Sequence, residues 1–407
     1  MQIPSTLIIQ KIRPSYWLAM MEIGWGAFTF AQAGTRNVSQ LYTFRFFVGF
    51  FESSFFPCLL FVLGSWYTKT ELAKRVAIFH MTAPLGTAFG GYLQAGVYNN
   101  LNGHHGIAGW RWLYIVCGCM TVPVGFATFF FFPDTPHTTR AWFLSKEECQ
   151  IALERVQRAG KAPPVKITLA TFKRILCRWR WYALVLGYVL YGSSCQASGY
   201  FGIWLKSEKF SVDDRNIIPT GSSLISAFCV VLWGFGADYT GSRFAFIFGP
   251  LTYGLIPNGI LAAWPPSLRL KEFAFLTTGV QLMTAVFYTW ANELCAGDNE
   301  ERALVIGSMN GLQYAVAAWL PIVIFPQTTA PSFRRGFPAT FGFVIAALIC
   351  ILIIQGFALR ERRRSAVQNG SRTLEAESLE KELETAREDD TKGYGVIEVG
   401  IDKEVRV

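Results

Sequence analysis

Ten long apolar runs constrain this 407-residue chain more than anything else in it. They fall at about 16–34, 41–67, 76–98, 111–132, 181–205, 217–237, 244–264, 273–295, 303–326 and 336–359. A bilayer core is about 30 Å thick, and a helix needs about 20 mostly apolar residues to cross it. Inside lipid no water is at hand for bare N–H and C=O groups, so each run is expected to close its own backbone hydrogen bonds as a helix. The expectation is an all-α polytopic membrane protein of about ten complete transmembrane helices plus part of one. The extra part is MQIPSTLIIQKIRP, ahead of the first run, which reads as the cytoplasmic end of another helix. It has no basic leader and no small-residue cleavage site, so it is not read as a signal peptide.

Composition excludes other classes. Charged residues make up 16% and apolar residues 52%, against about 25% charge in a typical soluble domain. That argues against a water-soluble enzyme, and disorder would need far lower hydrophobicity. The net charge of +9 lies in short clusters between apolar runs, not on one face as nucleic-acid binding requires. The nine cysteines include no C-x-x-C, and the four histidines complete no zinc site. No metal and no organic cofactor is expected. No nucleotide loop or nucleophile–base spacing points to an enzyme.

Basic residues set the orientation. With the N-terminus, the middle loop and the C-terminus all cytoplasmic, inner segments hold 27 Lys/Arg and outer segments nine, with Arg45 inside a span. The domains expected are a helical part at 1–133, a cytoplasmic linker at 134–180, a six-helix part at 181–359 and a cytoplasmic tail at 360–407. The tail opens with Arg360, Arg362, Arg363 and Arg364, a cluster attracted to anionic headgroups. It is otherwise expected as a solvated segment with a short helix at 371–388. Asn37 and Asn369 head glycosylation sequons that this topology leaves unused.

Charges inside spans are costly and therefore candidates for function. Arg45 and Glu52 lie seven residues apart on one helix. That spacing returns to within about 20° of the same face, about 10 Å along the axis. Arg45 could hold a carboxylate through its planar fork. Glu52 could take and release a proton, since burial favours its neutral form and a nearby cation its ionised form. The alternative is that Arg45 sits at the outer end and Glu52 only pairs with another helix. Glu22 is expected as a structural pair.

GFGADYTGSR (234–243) fits Gly-x-x-x-Asp-x-x-Gly-x-Arg, with Gly234, Asp238, Gly241 and Arg243, at an inner turn. Glycine permits a tight turn, and Asp238 suits a helix N-terminus. Glu293, Asp298, Glu301 and Arg302 cluster nearby in sequence and suggest an inner charge lock. Tyr188, Tyr191, Gln196 and Tyr200 put polar tips on one span, and Asn310 and Gln313 do so on another; Tyr191, Gln196, Tyr200 and Asn310 are candidates to line a cavity. His80 is read as packing. Gly86-x-x-x-Gly90, with Gly91, is read as a close helix contact.

RFFVGFFESSFFP (45–57), LGSWYTKTELAKRVAIF (63–79), GWRWLYIV (109–116), FFPDTP (131–136), GADYTGSR (236–243) and NELCAGDNEERALVIGSMN (292–310) together resemble the fungal allantoate and pantothenate permease group. That group belongs to the anion:cation symporter family of the major facilitator superfamily. The likeness runs from about residue 2 to 364. It implies a major facilitator fold, here N-terminally truncated, lacking the first span and most of the second. It implies proton-coupled uptake of a small organic anion such as pantothenate, allantoate or a similar vitamin acid. It implies anion binding and proton coupling by Arg45 and Glu52, and gate closure by the motif at 234–243. The proton is the coupling ion expected, the lipid bilayer the surroundings, the plasma membrane the site, and a monomer the state. Export of a secondary metabolite, or a sensor or inactive fragment that binds without moving substrate, are the other readings left open.

Overall fold

The computed structural model describes residues 5, 8–9, 12–67, 69–158, 169–295 and 298–393. The described residues are helical with short connections, and no strand occurs among them. All ten apolar runs form helices. Backbone contacts divide the chain into two compact units, Met1–Ile351 and Leu352–Val407.

Helix α1 is Pro14–Ala31. Proline at its first position has no N–H to leave unpaired. Helix α2, Val38–Glu52, starts at Asn37, whose side chain accepts from the Gln40 N–H at 2.9 Å. The first sequon asparagine is thus a helix cap. Helix α3 is Phe55–Trp66, α4 is Lys69–Leu101 and α5 is Gly109–Phe131. The linker carries α6, Lys146–Arg158, and α7, Leu169–Leu176. Most of the leading decapeptide lies outside the described residues. Where it is described, the Ile9 N–H donates to the Ser5 carbonyl at 2.9 Å, a helical spacing.

Beyond the linker, α8 is Trp179–Ser194 and passes through a 3-10 turn, Cys195–Tyr200, into α9, Phe201–Ser207. Helix α10 is Val212–Thr240, α11 is Ala245–Tyr253 and α12 is Leu255–Ala263. Helix α13, Leu268–Thr277, meets a second 3-10 turn, Thr278–Gln281, before α14, Thr284–Leu294. Helix α15 is Asn299–Ile324. Helix α16 runs Gly336–Gly393 and so includes the stretch 371–388.

Four expected runs are therefore interrupted. The run 41–67 breaks at Ser53-Ser54, where Pro57 has no N–H to give the Ser53 carbonyl. The run 244–264 breaks at Gly254, and Pro257 stands in the same relation to Tyr253. The runs 181–205 and 273–295 break at the two 3-10 turns. Among the described residues, six helical stretches are long and apolar enough to cross a membrane by length and composition alone, including 38–66, 109–131 and 212–240.

The surface is turned inside out relative to a soluble protein. Phe46 is 67% exposed and Ile322 75% exposed. Apolar surface on this scale needs lipid or protein to cover it. Among the described residues the interior holds apolar clusters, two of which stand out. One joins Trp17, Leu18 and Met21 to Cys58 and Val62. The other stacks Phe201 on Phe275 at 4.8 Å between ring centres, with Trp204, Phe333 and Phe337 around them.

Helices α4 and α10 run together over much of their length. The glycine that permits this is Gly91, where a Cβ would press on Thr220 and the Asn216 carbonyl. At Gly86 and Gly90 a Cβ would meet nothing within 4 Å. Of the three glycines that the sequence marked on this helix, Gly91 makes the close contact and Gly86 and Gly90 do not. Gly91→Val should lower the melting temperature of the detergent-solubilised protein, by a cost of about 1–3 kcal/mol for overpacking. Gly86→Val should leave it nearly unchanged.

Candidate functional site

A cavity of about 480 Å³ opens where the interrupted helices meet. Phe56 of α3 borders it beside the Ser53-Ser54 break, and α4 contributes Phe79, His80, Thr82 and Ala83. The first 3-10 turn supplies Cys195, Gln196, Ser198 and Gly199. Thr284 and Tyr288 follow the second, and Asn310, Gln313 and Tyr314 come from α15. Breaking a helix frees backbone polar groups, which is tolerated at membrane depth only where they line a cavity or are buried in protein.

Hydrogen bonds hold part of the wall rigid. The Tyr191 hydroxyl accepts from the Met283 N–H at 2.9 Å and lies 3.2 Å from the Thr284 hydroxyl. The Tyr288 hydroxyl donates to Asn310 Oδ1 at 3.1 Å. Tyr188 packs between them, 5.0 Å from the Tyr288 ring and 5.9 Å from Tyr191. Gly192 lets Gln313 lie directly on α8, for a Cβ there would fall 2.7 Å from Gln313 Cγ. The Gln196 and Gln313 amides and the Tyr314 hydroxyl have no hydrogen-bond partner among the described residues. They are the groups left free for a bound molecule.

Of the residues expected to line a cavity, Tyr191, Gln196 and Asn310 do so and Tyr200 does not. Tyr200 stacks on Phe325 at 4.0 Å instead. His80, read from sequence as packing, lies in the wall. Tyr288 and Tyr314 were not singled out. The signal for Tyr288 was its place one turn from Thr284, on the same face.

Arg45 and Glu52 are not among the lining residues. Arg45 donates to the Tyr114 hydroxyl at 2.9 Å, with its guanidinium 5.7 Å from that ring. Glu52 ends α2 and is exposed, within electrostatic reach of Tyr314. Glu22 is buried and accepts from the Thr128 hydroxyl at 2.8 Å.

At the turn after α10, Gly241 takes a left-handed φ of 67° that favours glycine. The turn aims Arg243 at two carboxylates: Asp238 at 2.5 Å and Glu293 at 2.9 Å. Burial alone would lower the Arg243 basicity, but these two acids outweigh it and raise it. A Cβ on Gly234 would meet nothing within 4 Å.

The acidic cluster expected as one lock is divided. Glu293 belongs to Arg243, whereas Asp298 and Glu301 bind the end of the linker. Arg174 lies 3.0 Å from Asp298 and 2.8 Å from Glu300. Arg178 lies 3.2 Å from Asp298 and 2.5 Å from Glu301, and Arg180 3.2 Å from Glu301. The Arg302 N–H donates to the Asp298 carbonyl at 3.0 Å. Asp298 also caps α15, accepting from the Glu300 and Glu301 N–H groups at 3.1 Å each. Burial would raise its carboxyl pKa, but the Glu301 N–H and the Arg174 and Arg178 charges hold it below the usual range. A separate ion pair ties Arg13 to Asp134 at 2.7 Å.

The family model of the Major Facilitator Superfamily matches residues 1–321. The chain belongs to the Major Facilitator Superfamily. Over 370 residues it is 36% identical to an MFS transporter of Pestalotiopsis fici, covering 88% of this chain and 68% of the relative. It is 32% identical to a pantothenate transporter of Schizosaccharomyces pombe, over 82% of this chain and 66% of that one. The chain thus spans about two thirds of the length of these relatives. A solved proton:xylose symporter of the superfamily superposes with a TM-score of 0.60 at 12% identity, over 84% of this chain and 80% of that one. The chain is thus an all-α, multi-pass membrane protein of a transporter family, not an enzyme, with a small molecule as its substrate.

Two predictions follow from the inner-end charges. Glu301→Gln leaves Arg178 and Arg180 without their buried partner. Breaking a buried pair costs about 3–5 kcal/mol, and less is expected here because Arg178 is 39% exposed; thermal melting in detergent reads it. Asp298→Asn keeps the cap but removes the charge. Its folded pKa is depressed, so its stabilisation is full above the unfolded value of about 3.9. That stabilisation is lost as pH falls through the lower folded value. The melting difference from wild type should be present at pH 7 and close under strong acid.

Proposed function

We propose that this chain is a secondary transporter that takes up a small organic anion, of the size and polarity of pantothenate, together with protons. The observation that carries the reading is the cavity between broken helices, with the Gln196 and Gln313 amides and the Tyr314 hydroxyl free for a ligand. A cavity of about 480 Å³ falls within the usual range for a small-molecule site, about 300–1,000 Å³. The similarity to a pantothenate transporter supports the substrate class. The protein is placed in the plasma membrane as a monomer, with linker and termini cytoplasmic. The Asp238–Arg243–Glu293 group then closes the inner end of the path, and the linker arginines brace α15 beside it. Arg45 serves to attract the anion, and Glu52, next to Tyr314, serves as the proton carrier for net uptake.

Uptake of radiolabelled pantothenate into cells lacking their own transporter tests this. Accumulation that collapses on adding a protonophore is expected; accumulation indifferent to it would remove proton coupling. Gln196→Ala should raise the KM about tenfold, the loss of one hydrogen bond of about 1.5 kcal/mol. Glu52→Gln should keep binding and abolish concentrative uptake, with the protein still in the membrane. Arg45→Lys should weaken the apparent affinity, because the fork geometry is lost.

A further inference from the structure

No lysine, arginine, aspartate or glutamate is among the described residues that line the cavity. The lining group that can become a cation is His80; burial alone disfavours its charge, and a carboxylate bound beside it would offset that cost. Its imidazole lies in an aromatic frame: the Phe56 ring meets it edge-on at 5.4 Å, and the Tyr288 ring stacks on it at 6.3 Å. Neither ring nitrogen has a hydrogen-bond partner among the described residues. Several other ring N–H groups are served, among them Trp66, which donates to the Asp134 carbonyl at 2.7 Å, Trp181, which donates to Ser308 at 3.0 Å, and Trp233, which donates to the Val280 carbonyl at 2.9 Å; the Trp204 N–H, by contrast, is buried among apolar rings and faces no cavity. Half-buried polar groups without partners call for an explanation. Two nitrogens facing a cavity find one in a ligand.

We propose that His80 is the specificity-determining residue of this cavity: its imidazolium holds the carboxylate of a small monoanion, so that a proton and a carboxylate occupy the site together. The assignment rests on the transport reading above. Either charge alone is costly in a low-dielectric site, and the two together offset each other. Each therefore raises the affinity for the other, by the reciprocity of linked binding. A site with one titratable cation and free amides suits one carboxylate on a body rich in hydroxyl or amide groups, and disfavours a dianion.

The groups around His80 are known on each side. Helix α8 and its turn bring Tyr188, Tyr191 and Cys195; α14 brings Tyr288; α15 brings Tyr314. Glu52 stands beyond Tyr314. Helices α5 and α10, packed on α4, place no charged side chain against His80 among the described residues. Arg75, on the same helix, lies over the Tyr67 ring instead. His80 sets what is bound and at which pH; Glu52 remains the group for net uptake.

The test is equilibrium binding of radiolabelled pantothenate to the purified full chain in detergent from pH 5 to 8, beside pantothenol, its neutral alcohol analogue. The variants are His80→Gln, His80→Asn and Glu52→Gln. For one linked proton, pantothenate affinity should fall toward tenfold per pH unit above the imidazole titration, while pantothenol binding stays flat. His80→Gln and His80→Asn should bind pantothenate weakly and without slope, yet keep pantothenol affinity, which marks an intact cavity. Glu52→Gln should keep the slope. A wild-type slope in the His80 variants, or one lost only in Glu52→Gln, overturns the assignment. The same slope for pantothenol also overturns it, and that comparison stands even where a variant does not fold. Wild type that binds neither pantothenate, allantoate nor nicotinate at any pH overturns the transport reading itself, and His80 with it.

Discussion

Backbone hydrogen bonding in lipid governs the rest of this structure. A peptide group that cannot reach water must find its partner in its own helix, and any interruption must be covered by protein or open onto a cavity. The chain breaks four of its ten apolar runs. Three of those breaks, at Ser53-Ser54, Cys195–Tyr200 and Thr278–Gln281, converge near one cavity. The last of these, Thr278–Gln281, is also covered from behind, because Gly279 brings its backbone onto Ser222 and Ser226 of α10. The fourth break, at Gly254, is buried beside Asn258, whose amide donates to the Gly254 carbonyl at 2.9 Å.

The same constraint explains how polar residues divide between two duties. Tyr191, Tyr288 and Asn310 satisfy each other or the backbone, and so stiffen the wall. Gln196, Gln313 and Tyr314 have no hydrogen-bond partner among the described residues and remain available. A site in which every donor was already paired would be rigid but unable to select; one with none paired would collapse. Rigid placement of the free groups by the paired ones is what lets a cavity discriminate.

Much of the fold was legible in the sequence, because span length and apolarity act locally and each run answers to them independently. Two of the four breaks were legible in principle, through Pro57 and Pro257, whose effect is confined to their own turn. The cavity was legible only in part. Tyr191, Gln196 and Asn310 stand out as polar tips on apolar spans, but Tyr200 has the same appearance and is packed on Phe325. Which way such a tip turns depends on the neighbouring helix, not on its own. His80 packs against aromatic rings and also borders the cavity, and the second fact was hidden because part of its frame comes from α3 and α14. The acidic stretch at 293–301 read as one cluster because its members are close in sequence. Its division was set by an arginine 50 residues away for one part and by arginines 120 or more residues away for the other.

That division has an energetic sense. Asp238 is 43% and Glu293 46% exposed where they meet Arg243. Ion pairs open to solvent contribute about 0–1 kcal/mol each, so such a closure holds weakly and parts at little cost. Glu301 is fully buried under Arg178 and Arg180, and separating it from them would strand a desolvated carboxylate. A membrane carrier that opens first to one side and then to the other needs one contact that yields and one that does not. The weaker group joins the end of α10 and the turn after it to the end of α14. The stronger one fixes the end of the linker to α15, where movement would let two neighbouring helices drift apart. The sequence places both within ten residues of each other, and burial alone separates their strengths.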